Sequence, residues 1–161
     1  MSPKIGFISS ALRLTRRERE LLACIVVEGA SRQEIAARLR ISPRTIKFHV
    51  QNLLKKWGTS SEIKMAIEYW RMQLDRRPPR SWPVIAADLE SAGRSAELSV
   101  REDEVFRRIV EQGLGTKEIA ADLRISERTV KFHTFNLLFK LGAPDRCKLA
   151  VSYWQSVLEM R

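Results

Sequence analysis

Residues that form covalent or metal cross-links are scarce in this sequence. It contains two cysteines and two histidines, and no pair of cysteines has the CxxC spacing of a zinc or redox motif. A disulfide framework or a structural zinc site needs more of these residues at a regular spacing. We therefore predict that Cys24 and Cys147 are reduced thiols and that the protein binds no metal and no cofactor.

Long apolar segments are also absent. No apolar run approaches the roughly 20 residues that a membrane-spanning helix needs. Residues 1–14 lack the order of a secretory signal, in which a basic segment precedes an apolar one. These absences predict a protein without a membrane partner, located in the cytoplasm.

Acidic residues are too few to balance the basic ones. The 161 residues include 29 Lys and Arg against 19 Asp and Glu, for a net charge of +10 and a pI near 10.2. A field of this sign attracts polyanions, either nucleic acid or an acidic membrane surface, and charge alone does not choose between them. With 44% hydrophobic and 30% charged residues, the composition is that of a globular protein.

A long internal repeat is the most informative feature that the sequence does contain. Residues 14–74 match residues 98–158 without a gap, at a constant offset, and the identities concentrate in 34–49 and 118–133. Stacked repeat arrays normally need three or more copies to bury a continuous core. Two copies instead predict two small domains, at residues 14–74 and 98–161, with an N-terminal segment at 1–13 and a linker at 75–97.

Helix-capping patterns place four short helices in each copy. In the first copy, capping boxes begin at Thr15 and Ser31, Gly29 can end the first helix, and Ser42 with Pro43 opens a third. The third helix is predicted to run to about residue 56, and a fourth from about residue 61 to residue 74. The corresponding helices of the second copy open at these residues: Ser99, Thr116, Ser126 and Asp145.

The second and third helices are close enough in sequence to form a helix-turn-helix, because only a few residues separate them. On the third helix the apolar residues follow a helical period and should face the core: Ile46, Val50, Leu53, Leu54 and Trp57. The outward residues form a basic face that suits the major groove of DNA: Arg44, Lys47, Phe48, Gln51 and Lys55. The predicted fold class is all-α, with two tandem four-helix helix-turn-helix domains joined by a partly helical linker.

Both copies resemble the DNA-binding domain of LuxR/NarL/FixJ/GerE-type transcription regulators. The pattern of that family is approximately L-T-x-R-E-x-E, G, E-I-A-x-x-L-x-[IV]-S, T-V-K-x-H and K-L-G. The first copy carries it at Leu14-Thr15, Arg17-Glu18, Glu20, Gly29, Glu34 to Ala36, Leu39, Ile41-Ser42, Thr45 to Lys47, His49, Lys56 and Gly58. The second copy carries it at Leu98, Arg101-Glu102, Glu104, Gly113, Glu118 to Ala120, Leu123, Ile125-Ser126, Thr129 to Lys131, His133 and Lys140 to Gly142.

The resemblance implies a sequence-specific transcription regulator, not an enzyme, that binds double-stranded DNA at the nucleoid through both third helices. Phosphate contacts would supply affinity and base contacts selectivity. In the first copy it implies DNA contacts for Arg44, Thr45, Lys47, Phe48, His49, Gln51 and Lys55. In the second copy it implies them for Arg128, Thr129, Lys131, Phe132, His133 and Phe135. Relatives usually also carry a domain that senses a signal, for which 161 residues leave no room, so no sensor domain is expected.

The two copies differ in charge and in the outer face of the third helix. The first copy has 12 basic and 6 acidic residues, net +6, and the second has 10 and 8, net +2. Phe135 and Phe139 replace Gln51 and Lys55, so that with Phe132 they form an aromatic stripe. An exposed stripe of this kind is unusual. Two interpretations stay open, namely contact with thymine methyl groups and a protein-binding role.

The fourth helices present a second open choice. Each has a bulky aromatic pair, at Tyr69-Trp70 and at Tyr153-Trp154. These residues either join the two copies as an internal pseudo-dimer, pair two chains as a homodimer, or complete the core of each small domain.

Two other functions compete with transcription regulation. One is a protein-interaction module that captures another regulator of the same type, and the other is a nucleoid-type packaging protein with weak selectivity.

Three residues depart from the family pattern: Glu62, Thr134 at a normally apolar position, and Glu127 beside the start of the third helix of the second copy.

Overall fold

The computed structural model describes residues 11–74 and 98–159, and eight α-helices and no strand lie within these two ranges. In domain 1 they are α1 (Arg16–Ala23), α2 (Arg32–Leu39), α3 (Pro43–Trp57) and α4 (Glu62–Leu74). In domain 2 they are α5 (Val100–Val110), α6 (Thr116–Leu123), α7 (Glu127–Lys140) and α8 (Arg146–Glu159). The predicted all-α class with two tandem helix-turn-helix domains is confirmed. The predicted linker, with its short helix, lies outside the described residues.

The first helix of domain 1 ends in a way that the sequence did not indicate. After α1 the chain continues as a π-helical segment, Cys24–Glu28, before Gly29 ends it with a φ of +60°. Gly29 therefore takes the left-handed conformation expected of it, because glycine enters this region without steric cost.

The predicted capping boxes form at Thr15, Ser31 and Ser99. At the first, the Glu18 amide donates to the Thr15 hydroxyl at 3.3 Å, and the Thr15 amide donates to the Glu18 carboxylate at 2.8 Å. Each such N-cap stabilises its helix by about 1 kcal/mol. α6 begins at Thr116 as predicted, but the residue that caps it is Gly115, one position earlier. The Gly115 amide donates to the Glu118 carboxylate, and glycine has no hydroxyl to reveal the cap in the sequence.

The turn of each helix-turn-helix contains an arginine in the left-handed conformation. Arg40 has a φ of +52° and Arg124 a φ of +54°. The next amide then folds back, so that Ile41 donates to the Ala36 carbonyl at 3.2 Å and Ile125 to the Ala120 carbonyl at 3.0 Å. This hydrogen bond ends the second helix abruptly and lets the third helix cross it.

The apolar face of each third helix lies in the core of its domain. Ile46, Val50 and Leu53 are buried as predicted, whereas Leu54 and Trp57 are only half-buried. Trp57 reaches the edge of the core, where its indole Nε1 donates to Glu68 at 2.6 Å.

Within the described residues, no helix combines the length and the apolar character that are needed to cross a membrane.

A buried carboxylate ties the first helix of each domain to the end of the third. Glu18 and Glu102 are both only 4% exposed. Lys56 donates to Glu18 and Lys140 to Glu102, each at 2.7 Å. Burial of Glu18 opposes its ionisation, but the hydrogen bonds from Lys56 and Thr15 outweigh burial, and the pKa of Glu18 is lowered. The hydrogen bond from Lys140 likewise lowers the pKa of Glu102 against the effect of burial.

These two carboxylates predict a loss of stability in acid. Both have a pKa in the folded chain below the ordinary value of 4.5, so their stabilisation is complete above that pH. It is lost as the pH falls through the lowered values, because the folded state must then take up protons. Glu102→Gln should lower the free energy of unfolding at pH 7 by about 1–3 kcal/mol and flatten this acid dependence. Urea unfolding at several pH values measures both effects.

A suitable control is Glu104→Gln, which removes an exposed pair with Arg101 on the same helix. Exposed pairs of this kind contribute about 0–1 kcal/mol. Equal losses for Glu102→Gln and Glu104→Gln would contradict a special role for the buried pair.

The fourth helices α4 and α8 pack against each other and join the two domains. A Cβ atom built on Gly29 would lie 2.9 Å from Lys148 Cδ and 3.2 Å from Val151 Cβ. A Cβ atom built on Gly113 would lie 2.9 Å from Lys64 Cγ and 3.2 Å from Ile67 Cδ1. Lys64 and Ile67 are the repeat equivalents of Lys148 and Val151, as Gly113 is of Gly29, so both fourth helices use one surface patch on opposite domains. This reciprocity is the property of an interface between two like subunits.

Hydrogen bonds across the interface are also reciprocal. Arg71 donates to the carbonyl of Glu111 at 2.5 Å, and its equivalent Gln155 donates to the carbonyl of Val27 at 2.6 Å. Lys148 donates to the Glu28 carbonyl at 2.5 Å, while its equivalent Lys64 pairs with the Glu118 carboxylate at 3.2 Å. The bonds from Arg71, Gln155 and Lys148 satisfy carbonyls at the end of the first helix of each domain, which would otherwise lack partners.

The tryptophans of the fourth helices hydrogen-bond within their own domains, and Trp154 also belongs to the buried apolar cluster of domain 1. Within each aromatic pair the tyrosine and tryptophan rings pack edge to face, with centroids 5.5 Å apart. The Trp70 indole donates to the Val26 carbonyl at 2.6 Å, and the Trp154 indole donates to the Val110 carbonyl at 2.7 Å. Trp154 also contacts domain 1, where the Arg71 guanidinium lies 5.9 Å from its ring centroid.

Candidate nucleic-acid interface

The third helices α3 and α7 begin in the same way. Ser42 accepts a hydrogen bond from the Thr45 amide at 3.1 Å, and Ser126 accepts one from the Thr129 amide at 3.0 Å. The hydroxyls of each Ser and Thr also share a hydrogen bond, at 2.8 Å in domain 1 and 2.7 Å in domain 2. Both helices therefore present the positive end of the helix dipole at a rigid, exposed start, which favours a nearby anion such as a phosphate.

The predicted site residues lie together on the outer face of α3 and on the equivalent face of α7. On α3 the following are exposed: Arg44, Lys47, Phe48, Gln51 and Lys55. On α7 the following are exposed: Arg128, Lys131, Phe132 and Phe135. The threonines at the helix starts and both histidines are half-buried. We call the two exposed sets the reading faces, and their contact with DNA stays a prediction.

His49 and His133 pack against the neighbouring aromatic residue of their reading face. The His49 and Phe48 rings meet edge to face with centroids 5.7 Å apart, and those of His133 and Phe132 at 5.6 Å. This contact orients both aromatic side chains in the same way relative to their helices. Among the described residues no cluster of His, Cys, Asp and Glu could hold a metal ion.

The two cysteines are free thiols with little reactivity. Cys24 is buried and Cys147 is half-buried. Burial raises the pKa of Cys147 to about 12, and burial together with the nearby Glu28 carboxylate raises the pKa of Cys24. Both thiols therefore stay protonated near neutral pH, and a thiol rather than a thiolate is a poor nucleophile.

Several cations outside the reading faces are already engaged by carboxylates. Arg38 pairs with Glu28, Arg17 pairs with Glu20 at 2.8 Å, and Lys56 is held by the buried Glu18. Arg40 and Arg124 are exposed at the turn before each reading face. Their left-handed conformation sets the direction of this turn. The sequence did not indicate that conformation, because the position holds an arginine and not a glycine.

A groove of about 600 Å³ lies between the two domains and was not foreseen from the sequence. It is lined by Leu54 of α3, by Leu138 of α7 and by Thr134, one turn before Leu138. Leu54 and Leu138 are repeat equivalents, so the inner sides of both third helices meet this groove. The Thr134 hydroxyl is buried and has no hydrogen-bond partner in the described part of the chain, where the equivalent Val50 is a core residue.

The reading faces of the two domains differ, as the sequence predicted. Phe132, Phe135 and Phe139 are 61%, 69% and 82% exposed, which confirms an open aromatic stripe on α7. Phe48 is 60% exposed, so the first aromatic position is alike in both domains. Glu127 is exposed as the first residue of α7, at the place that Pro43 occupies on α3.

Glu62, which departs from the family pattern, has a charged partner in the structure. Glu62 pairs with Arg32 of α2 at 2.5 Å, and this pair joins α2 to α4 in domain 1. In domain 2 the equivalent positions hold Thr116 and Arg146, and Arg146 instead donates to the Leu114 carbonyl. Burial lowers the pKa of Arg146.

Comparisons with known proteins agree with this architecture. A family model described as bacterial regulatory proteins, luxR family, matches residues 12–68 and again residues 96–153. The transcriptional activator protein SolR of Ralstonia nicotianae is 43% identical over 68 residues, which cover 42% of this chain and 28% of SolR. The transcriptional regulatory protein UhpA of Salmonella typhimurium is 46% identical over 68 residues, which cover 42% of this chain and 34% of UhpA. The spore germination protein GerE of Bacillus subtilis is 36% identical over 59 residues, which cover 37% of this chain and 78% of GerE.

The match is to one domain of most of these relatives rather than to their full length. The aligned part of this chain spans about a third of SolR and of UhpA. No solved structure matches the chain at a significant level. The family match covers both helix-turn-helix domains and well over half of the residues. The chain therefore belongs to the luxR family of bacterial regulatory proteins, whose members are transcription regulators and not enzymes.

Proposed function

We propose that this chain is a sequence-specific transcription regulator that inserts α3 and α7 into the major groove of double-stranded DNA. The observation that carries the proposal is the pair of equivalent reading faces, each exposed, basic and preceded by the same Ser and Thr cap. An α-helix fits the major groove, where each base pair shows a distinct set of donors and acceptors. Lys47 and Lys131 can donate to phosphate oxygens or to guanine O6 and N7.

We further propose that the two domains of one chain act as a pre-assembled pair. The reciprocal contacts of Gly29 with Val151 and of Gly113 with Ile67 support a pseudo-twofold relation between the domains. Leu54 and Leu138, which line the same groove, support the placement of both third helices on one side of that interface. Dimeric helix-turn-helix proteins read two half-sites about 34 Å apart, one turn of DNA. One chain would read such a site without first pairing with a second.

Footprinting on genomic fragments tests this function. Protected sites are expected to share a motif and to show two major-groove contacts about 10 base pairs apart on one face of the duplex. Binding without any preferred site, with a specific-to-nonspecific affinity ratio near one at physiological salt, would overturn the proposal and favour a packaging protein.

The exposed aromatic stripe favours a second candidate function, capture of another regulator of the same type. Phe139 is 82% exposed and stands where domain 1 has Lys55, which suits a protein contact better than a phosphate contact. A pull-down with the intact chain, after digestion of DNA, measures this. Retention of one regulator by the wild type and its loss with Phe139→Lys would support the second function, and equal recovery with both chains would oppose it.

A further inference from the structure

The reading faces of the two domains start alike and then diverge. Through the first turns of α3 and α7, the cap hydroxyls, the exposed lysine and the aromatic residue all correspond. Phe48 and Phe132 even agree in exposure, at 60% and 61%, and in their contact with the neighbouring histidine. One turn later the chemistry changes, because Gln51 is polar and Phe135 is an aromatic residue with 69% of its surface exposed.

The reciprocal interface makes this difference relevant to DNA. Each fourth helix contacts the same patch of the opposite domain, so α3 and α7 occupy equivalent positions relative to the interface. If α3 lies in one major groove, α7 lies in the next, and Phe135 occupies the place that Gln51 occupies in the first half-site. The flanking cations Arg128 and Lys131 are exposed beside Phe135, as Arg44 and Lys47 are beside Gln51, which favours DNA over a protein for this part of the stripe.

The two side chains select different base edges. A glutamine amide can donate to N7 and accept from the N6 amino group of adenine, which together identify that base. A phenyl ring has no donor or acceptor, and a polar base edge placed against it loses its water without gaining a partner. The apolar group that the major groove offers is the 5-methyl group of thymine. The second half-site should therefore present thymine methyls where the first presents a polar edge.

We propose that α3 and α7 read different half-sites and that Phe135 makes the second half-site depend on thymine methyl groups. This inference rests on the proposed function and adds the chemistry of its target: an asymmetric site rather than a palindrome. Phe48 and Phe132 add the same methyl contact to both half-sites, so the inference concerns the difference between them.

The first step of the test selects duplexes from a randomised library with the intact chain. The selected duplexes are expected to contain two half-sites that differ at the position facing residue 51 or 135. Uracil is then substituted for thymine in one half-site at a time, which removes the methyl group and leaves the hydrogen-bonding groups unchanged. Each buried methyl should be worth about a fourfold change in affinity, so the second half-site should lose about fourfold more than the first.

Two variants separate this inference from a general effect of uracil. Phe135→Gln should abolish the additional sensitivity of the second half-site, and Gln51→Phe should create it in the first. Equal sensitivity of both half-sites in the wild type, or an unchanged difference in Phe135→Gln, would overturn the inference while leaving the proposed function intact. A motif with a single half-site would also overturn it and would assign the stripe to a protein partner. Failure to enrich any duplex would instead refute the proposed function itself.

Discussion

Replacement of both Lys47 and Lys131 by alanine is expected to weaken binding to the preferred duplex by about 30- to 700-fold. Each lysine lies exposed on a reading face, and a base or phosphate contact of this kind contributes on the order of 1–2 kcal/mol, so the two losses together give this range. Each single variant should show a similar share of the loss. Fluorescence anisotropy with the selected duplex, at several salt concentrations, provides the measurement.

The salt dependence distinguishes a phosphate contact from a base contact in the same experiment. A lysine that neutralises a phosphate releases counterions, so its removal should lower the slope of log affinity against log salt by about one. A lysine that reads a base should leave the slope nearly unchanged and relax the sequence preference instead. Either result is compatible with a reading face, and the two results assign different roles to the lysines.

A control for the loss of positive charge is the double variant Arg16→Ala with Arg107→Ala. Both arginines lie outside the reading faces and pair with carboxylates of their own helices, at 3.1 Å and 2.9 Å. The control removes the same net charge, so only the long-range attraction should fall, by less than about fivefold. Damage from Lys47→Ala with none from Lys131→Ala would contradict two reading faces and leave domain 2 as a scaffold.

Substitution of Val151 by aspartate is expected to separate the two domains. Val151 is fully buried on α8 and packs with the core residues of domain 1, against Gly29. A carboxylate at this place would be buried without a partner, and such substitutions cost about 3 kcal/mol or more. The wild type should unfold in one transition because its domains share a core, whereas Val151→Asp should unfold in two. Calorimetry and small-angle scattering measure the transitions and the radius.

Met72→Asp provides the matched control, since Met72 lies on the other fourth helix and is 42% exposed. It adds the same charge but should leave one transition and an unchanged radius. Affinity for a duplex with both half-sites should fall in Val151→Asp, while affinity for a single half-site should not, because the reading faces themselves are intact. A single transition and a wild-type radius in Val151→Asp would contradict the packing of α8 on domain 1.

The local features of this fold were predictable because their causes lie within a few residues. A hydroxyl followed three residues later by a glutamate identifies a capping box, as at Thr15 and Ser99, and helical periodicity identifies Ile46 and Val50 as core residues. The N-cap at Gly115 could not be predicted in this way because glycine has no side chain. The left-handed conformation of Arg40 and Arg124 could not be predicted because most residues in that conformation are glycine or asparagine.

Contacts between distant residues could not be predicted in the same way. The sequence showed a bulky aromatic pair on each fourth helix, which left open whether these helices join the two domains. It did not show that Gly29 would meet Lys148 or that Gln155 would bond to Val27. Leu54 satisfied the apolar pattern of a core residue but lines the groove between domains, because sequence pattern does not distinguish a core from an interface. The exposure of the reading faces could be predicted from the helical period alone, because it depends only on which residues of each third helix lie opposite the apolar face.

Native mass spectrometry of the protein with its selected duplex, followed by hydroxyl-radical footprinting of the same complex, tests most directly whether one chain reads DNA with two helices. One chain is expected per duplex, with two protected segments about 10 base pairs apart on one face. Two chains per duplex, or a single protected segment, would contradict the pre-assembled pair. The absence of any complex with double-stranded DNA, even in dilute buffer, would contradict DNA reading altogether.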